Sequence, residues 1–355
     1  VGKRDIVGSV DMRERKGLEW QPPDDWLRIT VVDSHTGGEP FRLVVDGLPD
    51  IVGATILERR RYARENLDWL RKTLMWEPRG HADMYGGWMV PPETPDGDIG
   101  ILFTHNEGFS TMCGHGIIAL AKISLETGIL EAKDEEATLR IDTPAGRVLS
   151  TSTIEDGLVT CTSFENVPSF VTTLDSAVET EDFGPVSYDL AFGGAFYAFV
   201  DAPGIGLDLG EASDLAVAGR KIKTAIMEST VIEHPHTPEL GFLYGVIFTG
   251  PPSSPGNHSR NVCIFADGEV DRSPTGTGVS ARLAILHARG ELGIGDEVTI
   301  ESIVGSTFTG AVSRTERLGD RTAVIPLVSG SAHMTGRAEM WIDPDDTLGR
   351  GFLLR

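Results

Sequence analysis

Cys113 stands in Met112-Cys-Gly-His-Gly116, directly ahead of a run of good helix formers that ends at Gly128. A helix start leaves its first N–H groups unpaired and carries about half a positive charge. A cysteine there has its thiolate favoured, which predicts a pKa below the free value of about 8.5. Gly114 and Gly116 remove side chains where a ligand would approach the amides. The chemistry on offer is a nucleophile or base beside a small anion hole. The plainer alternative is a small buried hydrophobe at a helix start, but such a residue has no use for Gly-His-Gly. Cys161 and Cys263, the only other cysteines, fall in strand-like runs and read as packing residues.

The pattern recurs. Ser273-Pro-Thr-Gly-Thr-Gly278 precedes a second helical run, Thr277 to Arg289, with Thr275 in the cysteine's place. Gly276 and Thr277 offer bare amides at this second start. Two such starts facing each other across a cleft would clamp one carboxylate from both sides. Asp271, four residues before Thr275, either takes a substrate ammonium or closes an Asx turn. A turn ends at Gly146, 33 residues beyond Cys113, and another at Gly310, 35 beyond Thr275. The shared order of motif, helix and strands indicates a duplicated unit.

The elements that must position these motifs follow from periodicity and turn chemistry. Residues 27–45 read as two strands joined at Thr36–Pro40. Residues 54–78 read as one amphipathic helix stopped by Pro78. Residues 98–111 form a strand and a loop that deliver the chain to Cys113, and the helix Gly114–Glu126 is capped by Gly128. A strand pair follows around 137–166, then an acidic, turn-rich stretch, 167–188, where the domain crossing is placed. The second half repeats the plan, with a helix over 210–228. The expected organisation is an extension over 1–26, a first domain over 27–180 and a second over 181–345. A C-terminal segment, 346–355, would pack back on the first domain.

Composition narrows the partners. The net charge is −22 in 355 residues, which argues against a nucleic-acid partner and an anionic membrane surface. A small anionic substrate then needs local positive potential. The cysteines have no metal-ligand spacing, and their odd number fits a reduced, cytoplasmic protein. No run of 18 apolar residues occurs, and residues 1–26 lack the apolar core of a secretory signal. No G-x-S-x-G elbow and no strand-borne G-x-G-x-x-G is present.

"MCGHG" at Met112–Gly116, "DRSPTGTG" at Asp271–Gly278 and "HTGGEP" at His35–Pro40 together resemble the proline racemase family. That family includes 4-hydroxyproline epimerases and trans-3-hydroxy-L-proline dehydratases. The resemblance runs from Leu27 to the terminal "GFLLR". It implies an α+β, diaminopimelate epimerase-like fold. Two pseudo-symmetric domains would each wrap a mixed sheet around a central helix, with the active site in the interdomain cleft. It also implies no cofactor, no metal and a homodimer. In the family's racemases and epimerases both helix starts carry a cysteine. Here Thr275 replaces the second, and its hydroxyl is too weakly acidic to match a partner near neutral pH. The Cys/Thr pair marks the dehydratases, and "FLYGVIFT" and "GFLLR" strengthen that comparison.

The resemblance implies that Cys113, as thiolate, takes the α-proton of trans-3-hydroxy-L-proline. Amides at Gly114, His115, Gly276 and Thr277 would hold the carboxylate, while Asp271 and His115 orient the ring nitrogen. Thr275 would shape the far face. Loss of the hydroxyl gives an enamine that becomes Δ1-pyrroline-2-carboxylate. The alternatives are an epimerase or racemase using one cysteine and a water, and a non-catalytic amino-acid binding protein. "HTGGEP" reads chiefly as a turn, and His81 and Asp83 as organisers of their loop.

Overall fold

A computed structural model describes residues 20–354, so most of the expected 1–26 extension lies outside the described residues. The part inside is not detached from the fold. The Trp20 ring lies 5.0 Å from Trp341, and Arg28 donates to the Pro22 carbonyl.

The first half contains β1 (Leu27–Thr36), β2 (Glu39–Asp46), α1 (Ile56–Asn66), α2 (Asp68–Met75), β3 (Tyr85–Val90) and β4 (Ile99–His105). It continues with α3 (Gly114–Glu126), β5 (Glu136–Thr143), β6 (Gly146–Glu155) and β7 (Leu158–Glu165). The second half contains β8 (Phe170–Thr180), β9 (Gly184–Phe192), β10 (Phe196–Asp201), α4 (Ala212–Ser229), β11 (Leu243–Gly250) and β12 (Ser259–Phe265). After the short β13 (Glu269–Val270) come α5 (Gly276–Ala288), β14 (Glu297–Glu301), β15 (Thr307–Leu318), β16 (Arg321–Gly330) and β17 (Ala332–Ile342).

Pairing makes the duplication visible. Strands are hydrogen-bonded in the order β17-β1-β2-β3-β4-β5-β6-β7. The other half runs β8-β9-β10-β11-β12-β14-β15-β16. Both successions read antiparallel, antiparallel, parallel, antiparallel, parallel, antiparallel, antiparallel. The two halves join where β7 pairs with β16. Parallel neighbours need a crossover; α1–α2 and α4 supply the first in each half, and α3 and α5 supply the second. Helices α3 and α5 are buried on nearly every side, so their sequences are apolar all round rather than striped.

Two strands pair across the expected domain limits. Strand β8, assigned to a first domain ending at 180, pairs with β9 and packs on α5. Strand β17, assigned to a second domain ending at 345, pairs along β1 and packs on α3. Each half needs an eighth strand to close around its helix, and the chain supplies it from beyond the local unit. We propose crossings at 166–169 and at Ser331. The terminal segment lies against the first half: Phe352 N–H donates to the Glu77 carbonyl, and Arg79 donates to that of Gly349.

Three local readings also change. The helix expected over 54–78 is two, because Leu67, at φ −122°, ends α1 and opens α2. Asp68 restarts the helix in its first turn and pairs with Arg71 and Lys72, the favoured place for a carboxylate. The expected strand pair is the three-stranded run β5–β7. The acidic stretch is the β8–β9 hairpin, whose charged side chains face outward.

Candidate active site

The two helix starts meet. A Cβ placed on Gly114 would lie 2.6 Å from the Cα of Gly276, and one on Gly276 would lie 2.7 Å from the Cα of Gly114. Only hydrogen at both positions allows this approach. Packing of the two helix starts by itself requires glycine at both positions. Gly116 is likewise held by packing, since its Cβ would meet Phe41 at 2.6 Å.

All seven residues singled out from sequence, Cys113, Gly114, His115, Asp271, Thr275, Gly276 and Thr277, line one enclosure at this junction. No lysine or arginine lines it, so the two helix starts are the sources of positive charge that its lining residues offer an anion. It is closed: Cys113, His115 and Asp271 are each 4% exposed, Thr275 is 5% and Thr277 is 2%.

Cys113 is the N-cap of α3, in extended backbone at φ −146°. Its Sγ accepts from the Gly116 N–H at 3.2 Å and lies 3.2 Å from His115 Nδ1. The expected lowering of its pKa is not what the fold produces. Burial pushes the thiol well above its ordinary range; the Gly116 hydrogen bond opposes this, while the Asp271 carboxylate adds to it. Desolvation penalises the thiolate more than one helix start favours it. His115 is pushed down to about 3 by burial and also hydrogen-bonds the Pro40 carbonyl. A neutral imidazole that donates to a carbonyl keeps its other nitrogen as an acceptor for the thiol proton. Its side chain is thus engaged with Cys113 and Pro40.

The second start is built differently. Thr275 has φ 65° and ψ 95°, a conformation costing a β-branched residue on the order of 1–3 kcal/mol. Side chains before it hold it there. Asp271 Oδ1 accepts from the Ser273 N–H at 2.7 Å, and Ser273 Oγ accepts from the Thr275 N–H at 3.1 Å. Asp271 therefore closes an Asx turn and also faces the enclosure, where its Oδ2 accepts from the Thr275 hydroxyl at 2.8 Å. Burial pushes the Asp271 carboxyl up, and the hydrogen bonds from Thr275 and Ser273 oppose it.

Other lining residues escaped the sequence reading. Three of the chain's five tyrosines, Tyr85, Tyr197 and Tyr244, form walls of the enclosure. Cys263, read as a packing residue, also lines it, and its carbonyl accepts from the Asp271 N–H at 3.0 Å. "HTGGEP" does more than turn. Glu39, fully buried, accepts from the Arg272 N–H at 2.8 Å and so ties the first half to the second motif. No periodicity marks these residues; they converge only because strands from both halves meet here.

The chain is similar to several known hydroxyproline enzymes. The trans-3-hydroxy-L-proline dehydratase of Colwellia psychrerythraea is 45% identical, covering 95% of this chain and 96% of its own. The 3-hydroxyproline 2-epimerase of Burkholderia multivorans is 44% identical, covering 92% of this chain and 98% of its own. The solved structure of a hydroxyproline epimerase from Agrobacterium vitis, with trans-4-hydroxy-L-proline bound, superposes with a TM-score of 0.89. It is 32% identical and covers 93% of this chain and 96% of that one. The fold is α+β and epimerase-like, as the motifs implied. The proline racemase profile matches residues 31–353, across both helix starts and the strands that exchange between halves, and this chain belongs to the proline racemase family.

Proposed function

We propose that the chain is a trans-3-hydroxy-L-proline dehydratase, a hydro-lyase that forms Δ1-pyrroline-2-carboxylate. One observation carries this reading beyond the family: of two abutting helix starts, only α3 presents a thiol. The Thr275 hydroxyl opposite is already donated to Asp271.

The substrate carboxylate lies at the paired helix starts, on amides among Gly114, His115, Gly276 and Thr277, where charge developing toward the enediolate is stabilised. The ring ammonium faces Asp271. This places the α-hydrogen on the Cys113 side, and the thiolate removes it. In the trans isomer the 3-hydroxyl shares a ring face with that hydrogen, so a syn elimination runs on one face alone. Racemisation instead needs a matched acid on the far face, where Thr275 is too weak. Because these side chains are so little exposed, the halves part to admit substrate and then exclude water. The reading carries a cofactor-independent, cytoplasmic enzyme, with a homodimer as its family-based assembly.

Proton NMR in deuterium oxide tests it. Loss of the 3-hydroxyl with appearance of the cyclic imine is expected; hydroxyproline recovered intact but inverted would overturn the dehydratase in favour of an epimerase. That second reading has the Burkholderia multivorans relative in its favour.

Two further results are expected. Since the active form is the thiolate and burial raises the Cys113 pKa, kcat should fall as pH is lowered. It should still be climbing above the ordinary thiol value of about 8.5; a plateau already reached at pH 7 would contradict this. Thr275→Cys should add far-face proton exchange, read as epimerised substrate at a rate at least about 10-fold above the parent.

A further inference from the structure

The elimination needs a proton for the departing hydroxide; the hydroxyls around the enclosure are all hydrogen-bonded, and what separates them is the side they stand on and the partner they hold. The Thr275 hydroxyl is committed to Asp271, and His115 to Cys113 and Pro40. Tyr197 is hydrogen-bonded to Thr277 Oγ1 at 2.7 Å, on the α5 side. Tyr85, the first residue of β3, belongs to the other side. Its ring meets His115 edge-on at 4.8 Å, and its hydroxyl bonds Ser110 Oγ and, at 3.3 Å, the Tyr244 hydroxyl. Ser110 sits three residues before Cys113. Tyr244 comes from β11 in the second half, so its bond to Tyr85 spans the junction and forms only when the halves are together.

Resting on the dehydratase reading, we infer that Tyr85 is the acid that protonates the leaving hydroxyl, a catalytic residue on the same face as Cys113. Cys113 Sγ takes the α-hydrogen, and the electrons of that C–H bond pass first into the carboxylate as the enediolate and then become the Cα–C3 double bond. The C3–O bond breaks with its electron pair on oxygen, and the Tyr85 O–H proton goes to that oxygen, releasing water. The phenolate then takes the proton from the Cys113 thiol, which returns both groups to their starting states. Burial pushes the Tyr85 phenol well above its ordinary value and the Cys113 charge adds to this, while Tyr85 in turn hydrogen-bonds Cys113. The phenol therefore enters the reaction protonated. Ser110 and Tyr244 hold it in place.

The test is Tyr85→Phe in the full chain, with trans-3-hydroxy-L-proline followed by proton NMR in deuterium oxide. Imine formation should drop by about 100-fold or more, while recovered substrate gains α-deuterium without inversion, because Cys113 still removes the proton and returns a deuteron. A second substrate separates acid catalysis from positioning. Fluoride leaves without protonation, so trans-3-fluoro-L-proline should be eliminated by the variant within about threefold of the parent rate. Imine formation from the hydroxy substrate at the parent rate would overturn the inference. So would equal losses on both substrates without deuterium uptake, which would make Tyr85 a positioning residue for the thiol. If the unsubstituted chain forms no imine from either substrate, the dehydratase reading itself falls.

Discussion

Cys113→Ser should lower imine formation by about 1,000-fold or more and abolish exchange of the substrate α-hydrogen with solvent. Serine keeps the size and the hydrogen-bond geometry but not the acidity. An alcohol in an enclosure that already pushes a thiol upward has no useful population of its anion. The same substitution is unusually clean as a control on folding. Cys113 is the N-cap of α3, accepting from the Gly116 N–H, and serine is among the preferred N-cap residues. The thermal midpoint should therefore hold or rise while turnover vanishes. Turnover near the parent rate would remove Cys113 from the chemistry. Tight substrate binding by a parent chain that turns nothing over would instead favour the amino-acid binding protein.

Gly114→Ala should cost about 100-fold in kcat/KM, although the substitution adds one methyl group to a residue that performs no proton transfer. The new Cβ would stand 2.6 Å from the Cα and 2.9 Å from the carbonyl carbon of Gly276, and 2.9 Å from Phe164. The first two are backbone atoms of a buried helix start and cannot turn aside. The helix starts would be forced apart, and the amides that converge on one carboxylate would diverge, with a stability cost of about 1–3 kcal/mol from overpacking. A second readout distinguishes failed closure from a damaged thiol. In the closed arrangement Cys113 is 4% exposed, so a variant held open should be alkylated by iodoacetamide faster than the parent. Parent-like kcat/KM together with parent-like alkylation would show that the two starts need not touch during turnover.

Much of the site was legible before any coordinates, because a helix start is a local event. Gly114–Glu126 is the helix expected, and Gly128, at φ 73°, ends it as read. The cap, the unpaired amides and the terminating glycine all lie within one short stretch of chain. The Asx turn at Asp271 is local in the same way, with its two partners only two and four residues on. The break at Leu67 was missed because nothing between Asn66 and Asp68 forbids a continuous helix. Asp68 opens the second helix and pairs with Arg71 and Lys72.

The residues in sequence thus determined which side chains stand at the two helix starts, and that one start holds sulfur and the other a hydroxyl. Only the tertiary structure decided that the starts touch, that β8 and β17 change places between the halves, and that tyrosines from both halves wall the enclosure. It also reversed the expected titration of Cys113. The helix-start field acts over one turn and can be read from neighbouring residues, whereas desolvation depends on how much of the rest of the molecule packs around the sulfur.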